Sequence, residues 1–338
     1  MVDVVAFNVG SSSVTATTRD GRSVSKTGVG PGNLGVAARA VAERIGVSDS
    51  TRHVHRVVHG GDMSSPKRLS SDVIERIRFL SRYATLHNPA QLKAIRALQD
   101  LTGEAGHAVF DTSFHKTIPS FRRRYGLPDA FHDAGIKQYG FHGISVRGAA
   151  GRRQDNCICC HLGSGCSVTA VHNGDSVATS MGLTPFDGCI MRTRPGRLDP
   201  GVVIELCRHR SAEDVDRFLN EGAGWTGMSN GESLKDLVKT GANEEIVRAF
   251  VNSVAEEIHR VSTALDTVDT LMFTGGAGEN NATLRQAICD AATRLNIKVN
   301  SDRNRVGHGI ISHPKSEVTA EVVRAREAET MLSMVDDA

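Results

Sequence analysis

Two groups of residues have the types and spacing needed to handle a small, oxygen-rich anion. The first is cationic and polar. It comprises Arg56 in Arg56-Val57-Val58-His59-Gly60-Gly61, His87 in Leu86-His87-Asn88-Pro89 and Asp111 in Phe110-Asp111-Thr112-Ser113-Phe114-His115. It continues with His142 in Tyr139-Gly140-Phe141-His142-Gly143 and Arg194 in Met191-Arg192-Thr193-Arg194-Pro195-Gly196. Arginine recognises carboxylate or phosphate in a bidentate fork. The second group is rich in glycine and serine, and includes Gly10-Ser11-Ser12-Ser13, Gly163-Ser164-Gly165-Cys166 and Gly275-Gly276-Ala277-Gly278. Turns of this kind offer backbone N–H groups and hydroxyls to anionic oxygens. Each motif alone has a bland reading: a solvated arginine, a satisfied structural histidine, a turn that merely joins strands. Together they match what in-line phosphoryl transfer requires, which is positive charge around the equatorial oxygens, a metal and well-placed reactants. The sequence contains no GxxxxGK[ST], which disfavours a P-loop kinase.

The elements that must carry these groups follow from pattern. Residues 2–9 are an apolar strand, 10–13 a turn and 14–18 a second strand, which predicts a hairpin. Residues 157–162, 163–166 and 167–172 repeat the arrangement, and Ser13-Val14-Thr15-Ala16 recurs as Ser167-Val168-Thr169-Ala170. The repetition predicts an internal duplication, with a phosphate-sized loop in each half. Arg56 is expected at the start of an apolar strand whose end carries the glycines. Helices are expected over 35–45, 71–81 and 88–101, the last with Asn88 as N-cap and Pro89 at its first position. A short strand over 108–110 ends at Asp111. Further helices are expected near 201–208, 212–220 and 244–265. A strand over 270–273 then runs into the glycine turn, and a helix begins near 282, an arrangement that presents a helix N-terminus to a phosphate.

Composition narrows the partners. The chain has 338 residues, 39% hydrophobic and 23% charged, which suits a folded protein of about two domains. Forty basic against 38 acidic residues leave a charge of +2 without a long run of either sign, so neither nucleic acid nor a membrane surface is the expected partner. The N-terminus has no cationic leader, and no segment approaches the length of a membrane span. Seven cysteines in apolar patterns fit a reducing cytoplasm. Cys157, Cys159 and Cys160 lack a second pair at zinc spacing and are read as buried strand residues.

The motifs above, with Asn8-Val9-Gly10-Ser11-Ser12-Ser13, His161-Leu162-Gly163, Thr184-Pro185, Asp199-Pro200-Gly201 and Gly278-Glu279-Asn280, resemble the acetate kinase family in the same order along the chain. The resemblance implies an α/β fold of two duplicated actin-like, ribonuclease H-like domains with the active site in the cleft between them. The expected division is 1–112, joined by a C-terminal helix over 328–338, and 113–327. It implies reversible transfer between ATP plus acetate and ADP plus acetyl phosphate, with Mg2+ or Mn2+, in a cytoplasmic homodimer. By resemblance, Arg56 and Arg194 grip the carboxylate and the transferring phosphoryl, His142 steadies that phosphoryl, His87 supports it, and Asp111 positions substrate or metal. Asn8 and Glu327 match positions near the metal. Val58, Leu86, Phe141 and Pro185 match the small apolar pocket for the methyl group. Ser11, Ser13, His161, Gly163, Ser164 and Gly165 match phosphate-loop positions, and Gly276 and Gly278 the adenosine side.

Departures from the family pattern gather on the nucleotide side. Thr15 stands in place of a lysine, Ser164 of an asparagine, Arg192 of a glycine and Val146 of a histidine, and the chain is shorter than typical members. The alternatives are a kinase of propionate or another small carboxylate, and a non-catalytic homologue that binds nucleotide or acyl phosphate.

Overall fold

The computed structural model describes residues 2–151, 153–240 and 243–337. The chain forms two compact units. One comprises Met1–Lys116, Phe141–Gly148 and Arg326–Ala338, the other Thr117–Gly140 and Ala149–Ala325.

The first unit is built on six strands: β1 (Val4–Val9), β2 (Ser13–Thr18), β3 (Ser23–Thr27), β4 (Arg52–Val57), β5 (Lys67–Arg68) and β6 (His107–Phe110). They lie in the order β3-β2-β1-β4-β6-β5, with β1, β4 and β6 parallel and the β1–β2–β3 meander antiparallel. β1 is buried along its length apart from half-buried Asn8, as a central strand covered on both faces must be. One face packs Val5, Phe7 and Val9 against helices Leu34–Ile45 and Asn88–Thr102. Helix Leu34–Ile45 meets it with Leu34, Ala37, Ala38, Val41, Ala42 and Ile45, a single stripe at helical period. The other face packs Val4, Ala6, Val54 and Val109 against Ile144 and against Met331, Leu332 and Met334 of the C-terminal helix Glu327–Asp336. That second layer is why distant stretches of sequence belong to this unit.

The second unit repeats the design with β7 (Cys157–Leu162), β8 (Cys166–His172), β9 (Asp175–Thr179), β10 (Thr270–Thr274), β11 (Gly309–Ile310) and β12 (Thr319–Val322), ordered β11-β12-β10-β7-β8-β9. Taken from the β9 edge, the connections and strand senses are those of the first sheet. The repeated Ser-Val-Thr-Ala lies in β2 and β8, the second strand of each sheet, so the duplication is topological as well as sequential. Cys157, Cys159 and Cys160 are buried in β7. Burial is also what pushes the Cys157 thiol up to about 12.

Three local expectations are corrected. Arg56 stands next to the C-terminal end of β4, not at a strand's start, because the strand begins at Arg52. Asn88 does not cap its helix, which starts at Asn88 itself and has His87 at the N-cap position. Its amide is occupied elsewhere, as described below. The glycines after β10 form no open turn but coil at once into a short helix, Gly275–Asn280, ahead of helix Ala282–Ala291. Gly275 makes the swing with φ of +80°, a conformation that costs glycine little.

Candidate active site

In the first unit the three parallel strands end together, and their C-terminal ends carry the polar residues. Ligands of open α/β sheets bind outside these ends. Asn8 lies on β1, Arg56 on β4, and Asp111 directly follows β6. Arg56 Nε donates to both carboxylate oxygens of Asp111 at 3.1 Å, and Nη2 donates to Oδ2 at 2.6 Å. Arg56 Nη1 donates to Asn8 Oδ1 at 3.1 Å and stands 3.8 Å from Glu327 Oε2. Asn8 Nδ2 and Ser145 Oγ donate to the two oxygens of Glu327, each at 2.5 Å. The group therefore holds two carboxylates around one guanidinium. Burial opposes the Arg56 charge, but Asp111 and Glu327 outweigh it and hold the guanidinium protonated. Burial pushes the Asp111 carboxyl above its ordinary value and Glu327 adds to this, while Arg56 and the backbone N–H of His142 pull the other way. That N–H is delivered by a left-handed backbone at His142, φ 57°, just before helix Gly143–Ala150.

Oxygen donors of this kind suit a hard divalent cation, which takes carboxylate and amide oxygens. The excess of one negative charge over Arg56 is what such an ion would balance. Asn8, Asp111 and Glu327 fit that role by donor chemistry.

The apolar candidates of this unit are Val58, Leu86 and Phe141. Val58 and Phe141 are buried, and Leu86 and His87 are half-buried. Gln91 Oε1 accepts from Val58 N at 3.0 Å, while its Nε2 donates to Val9 O at 3.2 Å. Asn88 Oδ1 accepts from His59 N and its Nδ2 donates to His59 O, both at 3.0 Å. One helical turn thus fixes the backbone that follows Arg56. His115 Nε2 lies 2.9 Å from Phe141 O. Ser11 is exposed and Ser13 half-buried, in the turn where Gly10 N donates to Ser13 O at 2.9 Å. Ser145, Gln91 and Asn88 were not foreseen as site-shaping residues. The available signal was a pair of buried amides, spaced i and i+3 on an otherwise apolar helix face, right after Leu86-His87.

In the second unit Arg194 is 7% exposed, and its Nη1 donates to Pro185 O at 2.6 Å. Among the described residues no carboxylate pairs with it. Burial pushes it down to about 10, a buried cation without a counter-ion. Pro185 is buried. His161 is the penultimate residue of β7, and Gly163, Ser164 and Gly165 form the β7–β8 turn, closed by Gly163 N donating to Gly165 O at 2.9 Å. Ser164 O accepts from the N–H of Arg192, whose side chain is exposed. Gly276 is exposed and Gly278 buried in helix Gly275–Asn280. That helix is held at both ends. Glu279 Oε1 accepts from Gly275 N at 3.0 Å, and the buried Arg285 Nη1 donates to Gly278 O and Glu279 O at 2.8 Å each. Arg285 was not singled out from sequence, since an arginine on a helix reads as solvated.

A family model described as the acetokinase family matches residues 34–333. The chain belongs to the acetokinase family. It is 38% identical to acetate kinase of Deinococcus deserti, over 96% of this chain and 88% of that one. It is 37% identical to acetate kinase of Brachyspira hyodysenteriae, over 83% and 75%. Among solved structures it resembles a propionate kinase from Francisella tularensis, with a TM-score of 0.87 and 28% identity over 99% of both chains. It also resembles Porphyromonas gingivalis acetate kinase, with a TM-score of 0.79 and 28% identity over 100% and 98%. This acetokinase-family chain is accordingly a phosphotransferase with a carboxyl group as acceptor, on the duplicated actin-like fold.

Proposed function

We propose that the chain moves a phosphoryl group reversibly and in line between ATP and acetate, giving ADP and acetyl phosphate. The observation that carries this reading is the Asn8–Arg56–Asp111–Glu327 group at the ends of β1, β4 and β6. One fixed cation and several hard oxygen donors at the ends of parallel strands support this reading, because ligands of such sheets bind outside those ends. Arg56 and Arg194 take the carboxylate and the transferring phosphoryl, where donors aimed at developing charge lower the barrier. Arg194 is suited to this because a buried cation with no carboxylate partner among the described residues favours an incoming anion. His142 steadies the phosphoryl, His87 supports it, and Asp111 keeps the Arg56 fork in one plane. Mg2+ or Mn2+ held by Asn8 and Glu327 would neutralise charge on the phosphate oxygens. Val58, Leu86, Phe141 and Pro185 are read, on the family resemblance, as the apolar residues that receive the acid's methyl group. Ser11 and Ser13, the β7–β8 turn and the Gly275–Asn280 helix serve the nucleotide. A homodimer in the cytoplasm completes the reading, supported by the family.

Propionate is the second acid to consider, on the likeness to the Francisella propionate kinase. A hydroxamate assay for acyl phosphate with ATP, Mg2+ and acetate, propionate or butyrate tests both. Product with acetate that disappears in Arg194→Ala is expected. A clear preference for propionate would replace acetate as the substrate, and no product with any acid would overturn the reading.

A further inference from the structure

Pro185 owes its position to a short backbone segment that is tied down residue by residue. Gln138 Nε2 donates to Thr179 O and Met181 O at 2.9 Å each. Gly182 O accepts from Tyr139 N at 3.0 Å and Gly140 N at 3.3 Å. Leu183 N donates to the Tyr125 hydroxyl at 2.7 Å, and Pro185 O receives Arg194 Nη1 at 2.6 Å. Tyr125 is partly exposed, and burial pushes its phenol up to about 12, with Asp187 adding to this and the bond from Leu183 N opposing it. A Cβ on Gly182 would lie 2.5 Å from the Tyr125 oxygen, so glycine is what lets the hydroxyl come this close.

We propose that Tyr125 is a positioning residue for acyl selectivity: by fixing Leu183 it sets where Pro185 stands, and with Pro185 O the guanidinium of Arg194. This rests on the reading of Pro185 and Arg194 as acid-side and phosphoryl-side residues. A pocket wall separates acids that differ by one methylene by about 10- to 200-fold at best, and only if the wall cannot move aside. The Tyr125 hydroxyl holds Leu183, two residues before that wall. Losing it lets Pro185 retreat, which weakens the grip on acetate and makes room for a longer acid.

The test is steady-state kinetics with acetate and propionate on the native enzyme, Tyr125→Phe, Gly182→Ala and the double variant. In Tyr125→Phe the KM for acetate rises by about threefold to tenfold, the span of one neutral hydrogen bond. The acetate-to-propionate ratio of kcat/KM falls by a similar factor, while the KM for ATP stays as in the native enzyme. Gly182→Ala forces the same contact apart and reproduces the change. With the phenol oxygen gone the added methyl meets only the Asp187 side chain, whose Oδ2 lies 3.0 Å from it and can swing aside, so the double variant matches Tyr125→Phe. A merely structural tyrosine would lower activity with both acids equally and leave the ratio alone. Native selectivity in Tyr125→Phe, or additive losses in the double variant, overturns the proposal. Absence of acyl phosphate from the native enzyme with either acid sinks the substrate reading first, and the selectivity role with it.

Discussion

Replacing Arg194 by methionine should make the protein more stable and nearly inactive. Burial pushes the Arg194 guanidinium from its ordinary value down to about 10, which disfavours its charged form in the fold by about 3 kcal/mol. The bond to Pro185 O returns about 1 kcal/mol of that. Methionine fills a similar length without charge, so the net gain is about 2 kcal/mol. For a unit of this size that is a rise in melting temperature of roughly 4 to 8 °C. Turnover should fall by about 100- to 1,000-fold, as when a donor aimed at developing charge is removed. Calorimetry of the native protein and the variant, paired with the hydroxamate assay, reads both quantities. A variant that melts at or below the native temperature would refute the argument that Arg194 is held buried at a cost in stability. Native turnover would refute its role.

Arg56→Ala should behave in the opposite way. It leaves Asp111 and Glu327 facing each other without their cation, and a loss of about 3 to 5 kcal/mol in urea unfolding is expected; a loss under about 1 kcal/mol would mean the group is solvated. Ser145→Ala removes a donor from Glu327 and should weaken Mn2+ binding, followed by electron paramagnetic resonance, by about tenfold, whereas unchanged binding would exclude Glu327 as a supported ligand. The buried pair His53 and His55, whose ring nitrogens lie 2.8 Å apart, gives a pH signature. Burial lowers both, with Glu104 opposing and His107 assisting at His53, and His53 assisting at His55. The unfolded chain therefore takes up protons at about pH 6.5 while the fold does not. Stability is full above that pH and falls as pH drops below it, and His55→Phe should flatten the slope; a flat native profile between pH 7 and 5 would contradict it.

Much of the fold was legible because its signals are local. The β1–β2 and β7–β8 hairpins follow from apolar runs around Gly/Ser turns, and the repeated Ser-Val-Thr-Ala marked the duplication that the two strand orders share. The helix stripes over 34–45 and 88–102 follow from period. What failed locally was the detail of ends. Arg56 looked like a strand start because Arg52-His53-Val54-His55 reads as polar, yet both histidines are buried and hydrogen-bonded to each other. Asn88 looked like a cap because its type and the following proline fit one, but the amide bonds His59 instead.

The sequence by itself determined the residue types of the chemistry, their order and the family, since these are carried by short motifs whose spacing survives without coordinates. Tertiary structure alone decided the partnerships. Asn8, Arg56, Asp111 and Glu327 span nearly the whole chain, and only parallel pairing of β1, β4 and β6, with the C-terminal helix packed beneath them, puts two carboxylates on one guanidinium. The same holds for Arg194: its charge is written in the sequence, but its burial, with no carboxylate partner among the described residues, exists only once the second unit has closed around it.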